Sequence, residues 1–342
     1  MPPLPLLITG VAGVAGYNAF AYFHARYPGQ VIAIRQEDNW RLRSPGIVAC
    51  NAEDTRKLQA LFDRYQFRSV LNCAGNCALR ACELDSRLAW RTNVEGLINL
   101  LSIAIERDVR LVHLSVDLVF AGRDGGSYAE TDSPNPVTVY GKTMVAAEQL
   151  LADWMPQACV LRISLPMGVS FNGHAGAIDW IQSRFKKGRP ATLYFDEIRS
   201  PAYTDCYNQL FERALAGKLR GVHHAGGPRS LSLYQIAQVV NRIGGYDPKL
   251  LNGCPRRDAG PIPPRAGDVT MNSGLLQTAL ANRLLDPWPW GEEYLPTHRE
   301  WHLERNGDAG SPALLAEVLY RNPSKAQQVA VLRKPPHAYI GR

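Results

Sequence analysis

The chain has 342 residues, of which 46% are hydrophobic and 20% charged, the balance of a globular protein rather than a disordered or fibrous one. No apolar stretch approaches the roughly 20 residues that a membrane-spanning helix needs, so an integral membrane protein is excluded and no membrane partner is expected. The formal net charge of +7 suits an anionic ligand or a basic solvated surface, but no nucleic-acid recognition motif accompanies it, and we expect no nucleic-acid partner.

The chain opens with an apolar run that ends in three glycines, Gly10, Gly13 and Gly16, followed by helical periodicity to about Arg26. A Gly-x-x-Gly-x-x-Gly turn between a strand and a helix is typical of dinucleotide-binding α/β domains. Gly10 permits the tight turn, Gly13 lets the backbone approach a pyrophosphate, and Gly16 lets the helix pack on the strand. The predicted cofactor-binding residues of this turn are Gly10, Gly13, Val14, Ala15 and Gly16. The alternative is a glycine-rich turn with no ligand.

Strand and helix patterns alternate through the first half of the chain. The predicted strands after the turn are 31–34, 47–50, 69–73 and 111–115, and a helix at 92–107 carries apolar residues at core spacing. This alternation predicts an α/β fold, a Rossmann-type doubly wound parallel sheet whose ligands lie beyond the carboxyl ends of the strands.

Two residues at strand ends bear on the choice of cofactor. Arg35 ends the second predicted strand, where an acidic residue usually holds the ribose 2′-hydroxyl of NAD and an arginine accommodates the 2′-phosphate of NADP. We therefore favour NADP, with NAD possible and a simple surface arginine as the alternative. Asn51 follows the third strand and is a candidate for contact with the adenine. It is equally a candidate N-cap, with Asp54 at the third helical position.

The composition of the chain changes near residue 165, where prolines and glycines become frequent and the alternation of strands and helices stops. We predict an NAD(P)-binding domain at 1–165, a smaller mixed substrate lobe at 166–300 and a C-terminal extension at 301–342. The segment 222–224 is predicted to return as a strand to the main sheet. A helix is predicted from Ser232, with Leu233, Ile236, Ala237 and Val240 facing inward.

The seven cysteines, an odd number, favour reduced thiols over a disulfide framework, and Cys73, Cys77 and Cys82 match no usual zinc spacing. No metal site is predicted. The apolar N-terminal run lacks a basic segment before it and is interrupted by glycines, so we interpret it as a buried strand rather than a signal peptide. We therefore expect a cytoplasmic protein.

Further motifs follow one another between Leu4 and about Leu276. They are Asn72-Cys73-Ala74-Gly75, Asn93, Leu114-Ser115-Val116-Asp117-Leu118-Val119-Phe120, Tyr128 to Glu130 with Asp132, Asn135-Pro136, Val139-Tyr140-Gly141-Lys142-Thr143, Leu161-Arg162-Ile163-Ser164, Ser200-Pro201-Ala202-Tyr203-Thr204-Asp205, Gly221-Val222-His223-His224, Pro264-Arg265 and Asn272-Ser273. In this combination the chain resembles the extended short-chain dehydrogenases/reductases, and within them it looks most like the dTDP-4-dehydrorhamnose reductase branch.

The resemblance implies a domain that binds NAD(P), a lobe that holds a nucleotide sugar, and hydride transfer to a sugar C4 ketone. It adds Ala74, Gly75, Asn93 and Tyr140 to the expected cofactor-binding residues. The expected substrate-binding residues are Asn76, Asp117, Arg162 and Arg265. Arg265 is a candidate for a substrate phosphate, because a guanidinium fork suits phosphate geometry, with a salt bridge between the lobes as the alternative.

The chemistry of this family needs a tyrosine as proton donor, a lysine four residues later that lowers the pKa of the tyrosine, and a serine or threonine that binds the carbonyl. Tyr140 matches the tyrosine, but Met144 stands at the lysine position and Val116 at the serine or threonine position. Lys142 points roughly 200° away from the Tyr140 face of the helix and does not replace the lysine. We therefore expect that hydride transfer has been lost or works through an altered site.

Two functions follow from these observations. The first is an NAD(P)-dependent oxidoreductase of nucleotide sugars with an altered site. The second is a non-catalytic, cofactor-binding regulatory or interaction protein similar to the β subunit of methionine adenosyltransferase. The resemblance also implies a possible homodimer formed through the helices that flank the active site.

Overall fold

The computed structural model describes residues 1–173, 175–281, 284–305 and 310–320. The strands are β1 (Leu6–Thr9), β2 (Val31–Arg35), β3 (Ile47–Ala49), β4 (Ser69–Asn72), β5 (Arg110–Val116), β6 (Cys159–Ile163), β7 (Pro166–Met167), β8 (Ala191–Tyr194), β9 (Ile198–Arg199), β10 (Ala202–Tyr203), β11 (Gly221–Ala225), β12 (Leu231–Ser232) and β13 (Leu251–Cys254). The α-helices are α1 (Val14–Arg26), α2 (Thr55–Tyr65), α3 (Leu79–Leu84), α4 (Ser86–Trp90), α5 (Gly96–Glu106), α6 (Val139–Trp154), α7 (Ala177–Lys186), α8 (Thr204–Arg213), α9 (Leu233–Ile243), α10 (Gly274–Leu280) and α11 (Pro312–Tyr320).

Seven strands form one parallel sheet in the order β11-β6-β5-β4-β1-β2-β3. The chain runs outward from β1 to β3, then crosses back to β4 and continues in the other direction. This reversal leaves a crevice between the carboxyl ends of β1 and β4, where ligands bind in doubly wound sheets. The predicted fold class is confirmed, and the segment 222–224 returns to the sheet as β11, paired with β6.

Both faces of the sheet are covered, so its central strands are apolar on both sides. Leu6 and Ile8 of β1 pack on the α1 side with Phe20, whereas Leu7 points to the opposite face and packs with Leu97 of α5. This alternation follows from the two-residue period of a strand. The predicted helix at 92–107 begins earlier than expected, because α4 and a wide helical turn at Arg91–Glu95 run directly into α5.

Two helix starts test the sequence reasoning. Ser232 caps α9 as predicted: its Oγ accepts from Gln235 N at 3.1 Å, and Gln235 Oε1 accepts from Ser232 N at 2.9 Å. The alternative that Asn51 caps the next helix is wrong. Asp54 is the N-cap of α2 and accepts from Lys57 N at 3.0 Å, because the chain makes a further turn before the helix begins.

The C-terminal part of the chain contains the short strand pairs β7–β10, β9–β12 and β8–β13, and it reaches back onto the first domain where α8 packs on α1. In the predicted extension, α11 packs on α9, and Tyr203 OH donates to Val318 O at 2.8 Å. Residues 321–342 lie outside the described residues. Within the described part of the chain, no helix is both long enough and apolar enough to cross a membrane.

Candidate cofactor and substrate site

A cavity of about 350 Å³ lies beyond the carboxyl ends of the central strands. The glycine turn and the segment after β4 form one end of it, and the end of β5 with the first turns of α6 forms its middle. The other end is lined by the start of α7, by β9 and by Arg265. The cavity therefore joins most of the predicted cofactor residues to part of the predicted substrate residues.

The three glycines of the turn have different surroundings. Gly10 has φ +65°, and a Cβ on it would lie 2.2 Å from Cys73 O. A Cβ on Gly16 would lie 2.3 Å from Gly10 O, whereas one on Gly13 would meet nothing closer than the same oxygen at 3.5 Å. Gly10 and Gly16 are therefore required by contacts inside the protein. Gly13 is free of such contacts and lines the cavity, so there is space beside it for a ligand.

Helix α1 presents an open N-terminus to the cavity. Its N-cap is Gly13, which offers no side-chain acceptor, and its first turn carries no acidic residue. The N–H groups of the first turn and the positive end of the helix dipole are thus left for an anion. Together with the space at Gly13, this arrangement fits the pyrophosphate of a dinucleotide.

A polar network supports the turn from beneath. Thr9 Oγ1 donates to Asn72 Oδ1 at 2.5 Å, and Ala74 N lies 3.2 Å from both of these oxygens. Asn72 Nδ2 then donates to His113 Nδ1 at 2.9 Å. Burial lowers the pKa of His113 to about 4, so its ring is neutral at neutral pH. Sequence reasoning gave no role to His113.

The predicted residues Asn76 and Asn93 are linked to each other. Asn93 Oδ1 accepts from Asn76 N at 2.6 Å, and Asn93 Nδ2 donates to Thr143 Oγ1 at 2.8 Å. The Thr143 hydroxyl in turn donates to Tyr140 O at 2.8 Å. Asn93 therefore ties the segment after β4, including Gly75, to the first turn of α6. Contacts of these residues with a cofactor or a substrate stay predictions.

Arg35 and Asn51 meet at the loop that follows β2. Arg35 Nη1 donates to Gln36 O at 2.8 Å and to Glu37 O at 3.1 Å, and Asn51 Oδ1 accepts from Glu37 N at 3.0 Å. Both side chains therefore order the loop in which this fold holds the adenosine ribose. Contacts of Arg35 with a 2′-phosphate and of Asn51 with an adenine stay predictions.

The middle of the cavity is apolar. Tyr140 and Met144 lie on the same buried face of α6 and line the cavity with Val116, while Lys142 is exposed, as the helical spacing predicts. Burial raises the pKa of Tyr140 well above its usual value of 10, and Cys77 and Asp117 add to this effect, whereas Arg199 opposes it. A tyrosine with such a pKa is a weak proton donor at neutral pH.

Asp117 enters the cavity wall because β5 ends at Val116 and the chain turns there. Its carboxylate is fully buried: Arg199 Nε donates to Oδ2 at 2.7 Å, Arg199 Nη2 to Oδ1 at 2.5 Å, and Ser164 Oγ to Oδ2 at 2.5 Å. Arg199 also lies 3.9 Å from Glu197. Sequence reasoning missed Arg199 and Glu197, since no local spacing connects them to Asp117.

The two predicted substrate arginines have different positions. Arg265 lines the cavity, lies over the Tyr194 ring at 4.7 Å, and its Nη1 is 3.6 Å from Glu197 Oε2. Arg162 is buried and donates to both oxygens of Glu148, at 2.9 and 2.7 Å. It is not one of the described residues that line the cavity. Its role in substrate binding stays a prediction.

The buried pair of Arg162 and Glu148 is part of a larger network. Arg162 Nη1 donates to His224 Nε2 at 3.1 Å, and the other ring nitrogen of His224 donates to Tyr128 O at 2.9 Å. Ser115 donates to Glu148 Oε1. Burial lowers the pKa of His224. These contacts join β5, β6 and β11 to α6 and therefore hold the sheet together behind the cavity.

Residues 4–293 match the protein family described as the RmlD substrate binding domain. The chain belongs to this family. The predicted resemblance to the dTDP-4-dehydrorhamnose reductase branch is thereby confirmed, and the match extends from the glycine turn beyond Arg265.

The relatives include dTDP-4-dehydrorhamnose reductases and methionine adenosyltransferase β subunits. The dTDP-4-dehydrorhamnose reductase of Aggregatibacter actinomycetemcomitans is 27% identical over 244 residues, which cover 69% of this chain and 77% of that enzyme. The methionine adenosyltransferase 2 subunit beta of Danio rerio is 26% identical over 250 residues, which cover 69% of this chain and 72% of that protein. Both classes named in the sequence analysis are therefore represented.

Solved structures share the fold. The dTDP-4-dehydrorhamnose reductase of Bacillus anthracis, determined in complex with NADP, superimposes with a TM-score of 0.72 at 18% identity and covers 83% of this chain and 95% of its own. The UDP-glucose 4-epimerase of Thermus thermophilus, determined with NAD, gives a TM-score of 0.69 at 21% identity and covers 81% and 93% of the two chains. The Rossmann-type architecture of this family member is thus shared with proteins that hold NADP and NAD.

Proposed function

We propose that this protein binds NADP, or NAD, at the glycine turn and a nucleotide sugar in the adjoining part of the cavity, and that it carries out little or no hydride transfer. The observation that carries the proposal is the glycine turn itself. Gly10 and Gly16 have no room for a side chain, while Gly13 and the uncapped start of α1 face the cavity. This is the arrangement that a pyrophosphate needs.

The residues that would hold the two ligands can be named. Gly13, Val14 and Ala15 would bind the pyrophosphate through backbone N–H groups, and Arg35 would bind the 2′-phosphate of NADP. Arg265 is partly exposed to the cavity and would bind a phosphate of the nucleotide sugar. A nicotinamide cofactor, when bound, supplies or accepts a hydride.

The groups around Tyr140 support binding more than chemistry. Reduction of a ketone requires a proton donor for the developing alkoxide, and Tyr140 has its pKa raised well above 10 by burial and by the neighbouring Cys77 and Asp117. Met144 provides no charge to reverse this shift. The methionine adenosyltransferase β subunits among the relatives support the second candidate function, a cofactor-binding regulatory or interaction protein.

The first experiment is a fluorescence titration of the purified protein with NADPH and, separately, with NADH. We expect saturable binding that is tighter for NADPH. Substitution Arg35→Ala should weaken NADPH binding by about tenfold more than NADH binding, because the loss of order in the loop affects both nucleotides and the loss of one charge-assisted phosphate contact affects NADPH alone. Arg64→Ala, which removes an exposed arginine of α2, is the control. If neither nucleotide binds, the proposed function is refuted.

A second assay separates binding from turnover. The protein is mixed with NADPH and dTDP-4-dehydrorhamnose, the substrate in the names of several relatives. We expect binding of the cofactor without its steady oxidation. Turnover at rates of about 1 s⁻¹ or more, which are ordinary for enzymes, would contradict this part of the proposal.

Location and assembly complete the proposal. None of the seven cysteines, which all lie in the described residues, forms a disulfide, and this supports a reducing compartment and hence the cytoplasm. Leu84 and Trp90 are exposed on α3 and α4, which pack beside α6, and this apolar surface supports a homodimer. Analytical ultracentrifugation of the wild type and of Trp90→Arg tests the dimer, which should dissociate in the variant.

A further inference from the structure

The cavity wall opposite the glycine turn contains two polar atoms that lack hydrogen-bond partners within the described residues. They are Glu197 Oε2 and Arg265 Nε. Glu197 is only 2% exposed, and its Oε2 lies 3.6 Å from Arg265 Nη1, an ion-pair distance that is too long for a hydrogen bond. Both residues line the cavity.

An unsatisfied buried carboxylate oxygen requires an explanation, because the large majority of buried polar atoms have a partner and leaving one unpaired is costly. The nearest groups hold Glu197 in place without hydrogen bonds to its carboxylate oxygens. Arg199 Nη1 stands 3.9 Å from Oε1 on one side and Arg265 on the other, while Leu233 N donates to the main-chain oxygen at 3.0 Å. The carboxylate is therefore a fixed acceptor at the edge of a cavity.

The carboxylate of Asp117, which pairs with Arg199, differs from that of Glu197 in its hydrogen bonds. Asp117 receives two hydrogen bonds from Arg199 and one from Ser164, so its carboxylate is satisfied within the protein and has little capacity left for a ligand. Glu197 has such capacity. A third carboxylate that lines the cavity, Asp179, accepts from Ser170 Oγ at 2.6 Å and from Gly176 N at 3.1 Å. Of these three carboxylates, Glu197 is the one that receives no hydrogen bond from the described residues, so it is the acceptor left for a ligand.

We propose that Glu197 accepts a hydrogen bond from a hydroxyl or amino group on the sugar of the bound nucleotide sugar, and that it selects neutral or amino sugars over sugar acids. This inference rests on the proposed function, since it assigns a specificity residue to the same cavity. Arg265, beside Glu197, binds the phosphate of the same ligand. Arg265 thus contributes affinity for the nucleotide, and Glu197 contributes selectivity for the sugar.

Charge balance gives the selectivity its physical basis. Asp117, Arg199, Glu197 and Arg265 form a chain of alternating charges that sums to zero before any sugar binds. A hydroxyl donor adds no charge and supplies a hydrogen bond that the carboxylate lacks within the described residues. A uronic acid would place a second carboxylate beside Glu197, and two carboxylates at such distances repel strongly in a buried site.

The test compares UDP-glucose with UDP-glucuronate, and dTDP-glucose with dTDP-glucuronate, by isothermal titration calorimetry at pH 8 in saturating NADPH. We expect the wild type to bind the neutral sugar about 30-fold more tightly than the sugar acid, an effect of one partly screened charge pair. In Glu197→Gln the preference should fall to about threefold or less, because the amide still accepts a hydroxyl but no longer repels a carboxylate.

The preference, rather than the affinity, is the decisive quantity. Removing the Glu197 charge also changes the field at Arg265, but this affects the phosphate of both ligands equally and cancels in the ratio. The matched control is Glu292→Gln, which removes a carboxylate paired with Arg229 in the same lobe and should leave the ratio unchanged. Glu197→Asp keeps the charge and should keep the preference, even if the shorter side chain weakens binding of both ligands.

Each other outcome overturns a definite statement. Equal affinity of the wild type for neutral and acidic sugars, or equal weakening of both by Glu197→Gln, would show that Glu197 only positions the arginines. Failure of all four sugar nucleotides to bind while NADPH binds would refute this inference and the nucleotide-sugar part of the proposed function, and it would leave the cofactor part intact. Failure of both NADPH and NADH to bind would refute the proposed function itself. If Glu197→Gln does not fold, the wild-type ratio and Glu197→Asp decide the question.

Discussion

The glycine-turn end of the cavity and its middle, around Tyr140, are built in opposite ways. At the glycine turn, the shape of the site comes from the backbone and from buried polar contacts, and each part also serves the fold. Around Tyr140, the wall consists of side chains such as Val116 and Met144, which fill space and carry no charge. Binding geometry and reaction chemistry are thus encoded in different kinds of residue within one site.

This difference predicts which substitutions each region tolerates. A side chain at Gly10 or Gly16 would collide with main-chain atoms at about 2.2–2.3 Å, so a change there disturbs the packing of α1 on the sheet. Val116 and Met144 belong to the hydrophobic cluster around Tyr140, where one residue can replace another of similar volume at small cost. We therefore expect the fold to constrain the glycine turn more strongly than the positions around Tyr140.

The largest expected effect comes from introducing the hydroxyl and the lysine that the family resemblance implies beside Tyr140. In Val116→Thr with Met144→Lys, the new ammonium lies on the Tyr140 face of α6 and should lower the pKa of the tyrosine. We expect NADPH oxidation with dTDP-4-dehydrorhamnose to rise about 1,000-fold, within the range that positioned acid–base groups contribute.

The control for the double variant is Val116→Thr with Met144→Leu, which has the hydroxyl but no cation and should remain inactive. Wild-type turnover equal to that of the double variant would show that the apolar wall around Tyr140 does not prevent hydride transfer.

The next effect tests the polar network beneath the glycine turn through pH. His113 stays neutral in the folded protein down to about pH 4, whereas an unfolded histidine takes up its proton near pH 6.5. Between these values the unfolded chain binds more protons, so acidification favours unfolding. This contribution is fully present above about pH 6.5 and amounts to a loss of about 3 kcal/mol on going from pH 7 to pH 4.

Urea unfolding at a series of pH values measures this contribution. His113→Gln should lose less stability than the wild type over the same range, because glutamine takes up no proton. His298→Gln, at an exposed histidine, should behave as the wild type. Parallel pH curves for His113→Gln and the wild type would contradict the assignment.

The third prediction separates two glycines of the same turn. Gly16→Ala places a Cβ 2.3 Å from Gly10 O and should lower the free energy of unfolding by about 2 kcal/mol, the usual cost of overpacking. Gly13→Ala meets nothing closer than 3.5 Å and should fold with nearly wild-type stability.

For Gly13, we expect substitution to change the affinity for NADPH rather than the stability. Since its role is to let a ligand approach, Gly13→Ala should weaken NADPH binding by about tenfold at unchanged stability. Chemical denaturation and fluorescence titration of both variants provide the two measurements. Loss of stability in Gly13→Ala without loss of binding would mean that this glycine serves the fold.

Much of the molecule follows from local pattern. The order of strands and helices in the first half, the return of residues 222–224 to the sheet and the helix from Ser232 are all observed. Helix boundaries were less well predicted, as at Asn51, since several residues near a helix start can accept from the first turn and the backbone decides which one does.

The sequence by itself determined the parallel sheet, the glycine turn and the shared face of Tyr140 and Met144 on α6. All of these depend on spacings of a few residues, which the periods of strand and helix convert directly into geometry. Only the tertiary structure showed which carboxylates and arginines form ion pairs. Asp117 pairs with Arg199 across 82 positions of sequence, Glu197 lies beside Arg265, and Arg162 pairs with Glu148. No local period connects such residues, because their meeting depends on how the ends of separate strands are brought together around one cavity.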